Sequence, residues 1–233
     1  MHACAIIVAA GQGERLRSAV SKPLVRLGPK PMLLYSLETL SKCPLIKAII
    51  VVVNPSNRQA IKRLISAARI SKISGIVDGG ERRQDSVTNG LIALPEKCDF
   101  VLIHDSARPL IDSASLGRLI KSARKTGAAI LGVPVKSTVK EAQGSIGSGA
   151  LRVGQTLDRD RLWEIQTPQA FKKSIIMKAY NSFGMIKVTD DSALVEKLGI
   201  PVSLVMGSYV NIKVTTPEDV CVAAALLRER NTR

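Results

Sequence analysis

Residues 3–16 read ACAIIVAAGQGERL, an apolar run that gives way abruptly to small residues and glycines. The run Ala3–Ala9 holds no charge and does not alternate with polar neighbours, the pattern of a strand covered on both faces. Outward from it, runs of the same kind recur at 46–53 (IKAIIVVV), 73–77, 100–104 (FVLIH), 128–133 (AAILGV) and 202–205. Helix-like stretches separate them at 31–40, 57–68, 85–94 and 113–125. Thr216-Pro217-Glu218-Asp219 opens a last helix with a cap, a proline in the first position and acids in the first turn. Strand and helix alternating along most of a chain predict βαβ units, hence an α/β fold with a mostly parallel, helix-covered sheet.

One segment breaks this rhythm. Residues 136–159 carry short β-like pieces (STVKEA, ALRVGQTLD) around the glycine-rich tip GSIGSG at 144–149, which reads as an extended hairpin. A hairpin leaving a compact body has edges that need cover, and a second subunit is one cover. A loose surface loop fits the same residues.

With 233 residues, 45% hydrophobic and 23% charged, the chain suits one folded domain spanning 1–233, with the hairpin as an appendage. The four cysteines, at 4, 43, 98 and 221, form no C-x-x-C pair, which excludes a zinc ribbon and disfavours a disulfide scaffold. With only His2 and His104, a multi-histidine metal site is excluded, and any metal must take oxygen ligands. No apolar run reaches the roughly 18 residues that span a bilayer, and Met1 leads almost directly into the first strand. A soluble, reduced, cytoplasmic protein without a membrane partner is expected. A net charge of +15 attracts polyanions, from nucleic acid to phosphorylated small molecules, though it also serves solubility alone. Aromatics at 3% are poor material for stacking bases, so no nucleic-acid partner is expected.

Ligands of open α/β sheets sit beyond the carboxyl ends of the strands, so the residues following each run carry the functional information. After the first run, Ala9-Ala10-Gly11-Gln12-Gly13-Glu14-Arg15-Leu16 lacks the third glycine of a dinucleotide fingerprint and the G-K-[ST] of a Walker loop. What remains is a small-residue turn whose backbone amides can approach phosphates, followed by two cations, Arg15 and Lys22. After the third run, Gly80, Glu81 and Ser86 lie on a glycine-rich turn into a helix, where Asp85 reads as an N-cap. After the fourth, His104-Asp105-Ser106-Ala107-Arg108 places an acid suited to Mg²⁺ at a strand end. Arg108 either pairs with Asp105 or reaches a second phosphate, and His104 reads as a packed, hydrogen-bonded residue rather than a base. Asp190-Asp191 reads as a helix start, and Lys213 stands out as a charge in an otherwise apolar and threonine-rich stretch. No serine or cysteine nucleophile set is present. The recurring theme is phosphate, and an ionised phosphate attacking another needs no general base.

In this order AAGQGERL, GGERRQDSVTNGL, HDSARPL, STVKEA, TLDRDRLWEIQTPQAF, TDDSALVE and NIKVTTPED resemble the 2-C-methyl-D-erythritol 4-phosphate cytidylyltransferases of the non-mevalonate isoprenoid pathway. The resemblance runs from Ala9 to Asp219 and implies a Rossmann-like nucleotidyltransferase fold with a hairpin arm used for dimerisation. It implies CTP and a sugar-alcohol phosphate as substrates, Mg²⁺ or another divalent cation on the triphosphate, and a homodimer with shared active sites. By the same likeness, Ala9, Ala10, Gly11 and Gly13 with Arg15 and Lys22 hold the triphosphate, and Gly80, Glu81 and Ser86 select cytosine. Asp105 faces metal, nucleotide and acceptor, while Arg108, Thr167, Thr189 and Lys213 line the acceptor site. Thr138 and Arg159 reach that site from the partner's arm, and Arg159 and Lys213 join Arg15 and Lys22 in catalysis. Three positions depart from the family pattern: the Ser21-Lys22-Pro23 order, Glu14 in place of a base, and Ser137 in place of an aspartate. A ribitol 5-phosphate cytidylyltransferase, or a basic nucleic-acid-binding protein on the same scaffold, are the competing readings.

Overall fold

The computed structural model describes residues 2–11, 13, 16, 20–144 and 151–232. Its centre is a seven-stranded sheet made from β1 (Ala3–Ala9), β4 (Ile46–Val53), β5 (Ile73–Asp78), β6 (Phe100–Asp105), β7 (Ala128–Pro134), β10 (Trp163–Lys172) and β11 (Ser203–Met206). The strands lie in the order β11-β7-β10-β6-β1-β4-β5. Every pairing is parallel except those of β10, which runs antiparallel to both β6 and β7.

The continuous apolar runs are explained by cover on both sides. Ala3, Ala5, Ile7 and Ala9 of β1 belong to one buried cluster, while Cys4 and Ile6 belong to another across the sheet. The first cluster is closed by α1 (Met32–Lys42), α2 (Arg58–Ala67) and α4 (Ser113–Thr126), the second by α3 (Arg83–Ile92), α5 (Lys173–Phe183) and α6 (Ser192–Lys197). With two-residue periodicity and a helix layer on each face, neither set of side chains in β1 has water to point at. A third, smaller cluster joins Leu16, Leu27 and Met32 to Val214, Ala223 and Leu227. It docks α7 (Pro217–Thr232) beside the short ribbon of β2 (Arg26–Leu27) and β3 (Lys30–Pro31). The helix ends follow from local chemistry: Asp112 accepts the amide of Ser115 at 2.7 Å to start α4, and Gly127, at φ +87°, ends it in the left-handed conformation.

Two expectations change. The sequence predicts no strand between the hairpin and residue 202, yet β10 lies inside the sheet; Pro168 and four polar residues from 164 to 169 hide it. Its ladder with β7 passes from Gln166 to Gln169, leaving Thr167 and Pro168 out of register at a bulge. The helix expected to be capped by Asp85 starts two residues earlier, at Arg83, and Asp85 instead reaches back to accept the Arg82 amide at 3.0 Å.

The segment 136–159 is a separate two-stranded hairpin, β8 (Lys140–Gln143) against β9 (Arg152–Thr156). All of its paired residues are exposed. The tip residues 145–150 lie outside the described residues.

Candidate functional site

The loops that leave β1, β4, β5 and β6 at their carboxyl ends surround a cleft of about 540 Å³. Ala10, Gly11, Gly13 and Lys22 line it together with Gly80, Glu81 and Ser86. Glycine is required at two of these places. Gly13 sits at φ +74°, and a side chain there would meet the Lys22 Cβ at 2.7 Å, so the Lys22 stem packs against bare backbone. At Gly79 a Cβ would meet Ala10 and, at 2.7 Å, the Ser86 hydroxyl, so the β1 and β5 loops approach only because it is absent. Ser86 then accepts the Gly80 amide at 3.1 Å, fixing the turn on which Glu81 is presented. Lys22 is held from below, since the neighbouring Ser21 hydroxyl accepts a 2.6 Å bond from the buried Asn57.

A second cleft of about 410 Å³ opens next to the first, and Arg108, Thr167, Gln169 and Thr189 line it. Three residues line both clefts: Arg83, Asp105 and Lys213. They form an ion chain. Lys213 Nζ donates to Asp105 Oδ2 at 2.7 Å, and Arg83 Nε donates to Asp105 Oδ1 at 3.0 Å. Arg83 also donates both Nη groups to Asp191, at 2.9 and 2.8 Å. Burial would raise the Asp105 carboxyl, but Arg83 and Lys213 outweigh it and hold the group far below the usual carboxylate range. Burial works against the Arg83 charge, and Asp191 with Asp105 more than offsets it, so Arg83 and Asp105 both stay ionised.

Lys213 is positioned by its neighbours in the chain. Val214 is fully buried in the third cluster, its amide bound to the Ala107 carbonyl at 2.8 Å, and buried Asn211 donates to the Thr167 carbonyl at 3.1 Å. Among the described residues, Arg108 forms no salt bridge with a carboxylate. Its two Nη groups donate to the carbonyls of Asn211 and Ile165 at 2.7 and 3.1 Å, and its Nε has no partner among the described residues. This is a half-buried cation beside the second cleft, hydrogen-bonded to carbonyl dipoles and within electrostatic reach of Asp105 and Glu164, which suits an incoming anion.

His104 is fully buried behind this wall. Thr167 Oγ1 accepts the Asp105 amide at 3.0 Å, so its proton points to His104 Nδ1, 3.1 Å away. That assigns the proton to Nε2, which donates to the Arg108 carbonyl at 3.2 Å. Burial pushes the imidazole down to about 4, so it is a neutral linker and not a base. The unfolded chain gains this proton near the ordinary histidine value of 6.5 while the native one does not until about 4, so stability should fall as pH drops through that window. From pH 7 to pH 5 the loss from this residue should be about 2 kcal/mol. Urea unfolding of the wild type and of His104→Gln at the two pH values checks it; an equal slope in the variant would refute it.

The structure brings Ala10, Gly11, Gly13, Lys22, Gly80, Glu81, Ser86, Asp105 and Lys213 to the first cleft, and Arg108, Thr167, Thr189, Asp105 and Lys213 to the second. Ala9 lines neither cleft; its side chain is buried in the core. Arg15 lies outside the described residues. Thr138 and Arg159 line neither cleft and stand at the root of the hairpin, where Arg159 donates to the Lys136 carbonyl at 3.0 Å. Asp191 does more than start a helix: it is wholly buried under Arg83 and takes a 2.6 Å bond from the Tyr180 hydroxyl, while Asp190, one residue before it, accepts the first-turn amide of Ala193 at 3.2 Å. Arg83 is the residue that the sequence reading missed, and its partners lie 22 and 108 positions away.

A family model described as 2-C-methyl-D-erythritol 4-phosphate cytidylyltransferase matches residues 3–229. A protein of that name from Desulforamulus reducens is 44% identical over 232 residues, covering 97% of this chain and 96% of its own. Another from Dehalococcoides mccartyi is 45% identical over 225 residues, with 97% and 96% covered. The crystal structure of a 4-diphosphocytidyl-2C-methyl-D-erythritol synthase from Anaerococcus prevotii superposes with a TM-score of 0.83 at 36% identity, covering 97% of this chain and 96% of that one.

Proposed function

Because the chain belongs to the 2-C-methyl-D-erythritol 4-phosphate cytidylyltransferase family, we infer that it transfers the cytidylyl group of CTP to 2-C-methyl-D-erythritol 4-phosphate and releases pyrophosphate. The observation that carries the arrangement of the site is the shared wall: two clefts meet at Asp105 and Lys213, as a reaction joining two phosphorylated substrates requires. CTP occupies the first cleft. The backbone of Ala10, Gly11 and Gly13, with Lys22 and Arg15, holds its triphosphate, and the turn of Gly80, Glu81 and Ser86 faces the cytosine. The acceptor occupies the second cleft, its phosphate drawn by Lys213 and Arg108 and its hydroxyls by Thr167 and Thr189. The acceptor phosphate is already ionised, so its oxygen attacks the α-phosphorus in line and no base is needed; charge gathers on the α-phosphoryl oxygens as pyrophosphate departs. Lys22 and Arg15 stabilise that charge.

The residues present fit a magnesium ion that arrives with the triphosphate. No group of three His, Cys, Asp or Glu side chains forms a metal nest among the described residues, and the first cleft offers Asp105 as one buried carboxylate. When bound, magnesium would neutralise triphosphate charge and polarise the phosphoryl group. The exposed hairpin fits a homodimer in which Thr138 and Arg159 complete the partner's acceptor cleft; Val153, 64% exposed on β9, is an apolar side chain that such contact would cover. No described helix is long and apolar enough to cross a membrane, and the four cysteines are unbridged, which fits the cytoplasm.

Incubation with Mg²⁺, CTP and 2-C-methyl-D-erythritol 4-phosphate should release pyrophosphate, and EDTA should abolish the release. No turnover with this acceptor alongside turnover with ribitol 5-phosphate would move the assignment to a polyol-phosphate cytidylyltransferase.

A further inference from the structure

The wall between the clefts rests on a residue whose guanidinium is engaged by two carboxylates. A guanidinium can hold one carboxylate with its two terminal nitrogens and still offer Nε–H to another, a geometry that lysine cannot reproduce. Arg83 does this: its Nη groups grip Asp191 and its Nε holds Asp105. Asp191 is fully buried, lines neither cleft, and is tied to α5 through Tyr180, so it is an anchor rather than a ligand. The residues flanking Arg83 are bound to the same region. Arg82 Nη1 donates to the Met185 carbonyl at 3.3 Å, and Gln84 Nε2 donates to the Ile186 carbonyl at 2.8 Å. Three successive residues at the start of α3 are therefore fastened to the segment that carries Thr189 into the acceptor cleft.

We propose that Arg83 is a positioning residue for cytidylyl transfer: anchored on Asp191, it fixes the Asp105 carboxylate, and through it the Lys213 ammonium, at the boundary where the two substrates react. This rests on the functional reading above. Without Arg83, Asp105 keeps a single side-chain partner, Lys213, and the pair can rotate together away from the boundary. A misplacement of about 1 Å in a reacting constellation lowers turnover about 10²-fold.

Arg83→Gln alone would strand the buried Asp191 charge and risk the fold. The decisive variant is therefore R83Q/D191N, in which a neutral amide pair fills the anchor. The readout is the single-turnover rate constant with enzyme in excess over CTP and saturating acceptor, which does not depend on the folded fraction. R83Q/D191N should be slower by about 10²-fold, while its Kd for CTP stays within about threefold of the wild-type value. D191N, which alters no group in either cleft, should slow the reaction to a similar order, and Arg83→Lys should not restore it. A rate constant for R83Q/D191N or D191N within about threefold of wild type, or a loss confined to CTP affinity, overturns the proposal. A wild-type enzyme that itself releases no pyrophosphate overturns the functional reading, and this inference with it.

Discussion

Lys22→Ala should lower kcat about 10²–10³-fold, the scale of removing one donor aimed at charge that develops in the transition state. The expectation rests on how firmly Lys22 is held. Its stem packs on the bare backbone of Gly13, and it opens a short 3-10 turn, Lys22–Leu24, with buried Pro23 behind it. The Val25 amide closes that turn on the Lys22 carbonyl at 3.2 Å. Such a cation needs little reorganisation when pentacoordinate phosphorus forms, and this distinguishes transition-state stabilisation from simple attraction of a triphosphate. The KM for CTP should therefore change much less than kcat. Arg15→Ala should behave alike. Steady-state kinetics of pyrophosphate release checks both, and a Lys22→Ala enzyme with kcat within about threefold of wild type would remove Lys22 from the catalytic machinery.

The second large effect concerns subunit exchange. If Arg159 serves the partner's cleft while Lys22 serves its own, Arg159→Ala and Lys22→Ala homodimers should each be nearly inactive. A mixed dimer then contains one cleft lacking both groups and one lacking neither. After unfolding and refolding an equal mixture, half of the dimers should be mixed, and activity should recover to about one quarter of wild type. Recovery no greater than the sum of the two parents would place Arg159 in its own subunit's chemistry or outside the chemistry altogether. The exposed strands of the hairpin motivate this experiment, because all nine residues of β8 and β9 face outward in the single chain.

The fold was legible where a run is apolar on both faces. β1 and β4 are found with the expected limits, and the helix expected over 31–40 is found as α1, Met32–Lys42. β10 was not legible, because a strand that turns Gln166, Thr167 and Gln169 toward site-forming neighbours has no apolar periodicity to display. The turns that line the first cleft could be read because small residues and cations are local signals. The Asp191–Arg83–Asp105–Lys213 chain could not, because its members are joined only in space. One local clue existed: two arginines at the start of α3 oppose the helix dipole, and cations in that place call for partners elsewhere in the molecule.

The order of the sheet bears on how this enzyme type can vary. β7 and β10 are antiparallel neighbours, with Pro134 opposite Trp163 where the ladder ends. The whole stretch that projects between them is topologically an enlarged turn, and the strand order of the catalytic body is indifferent to its length. The outer part of this projection can therefore change in length without disturbing the strand order, whereas its root, where Arg159 is bound to the Lys136 carbonyl, stays tied to the end of the β7–β10 ladder.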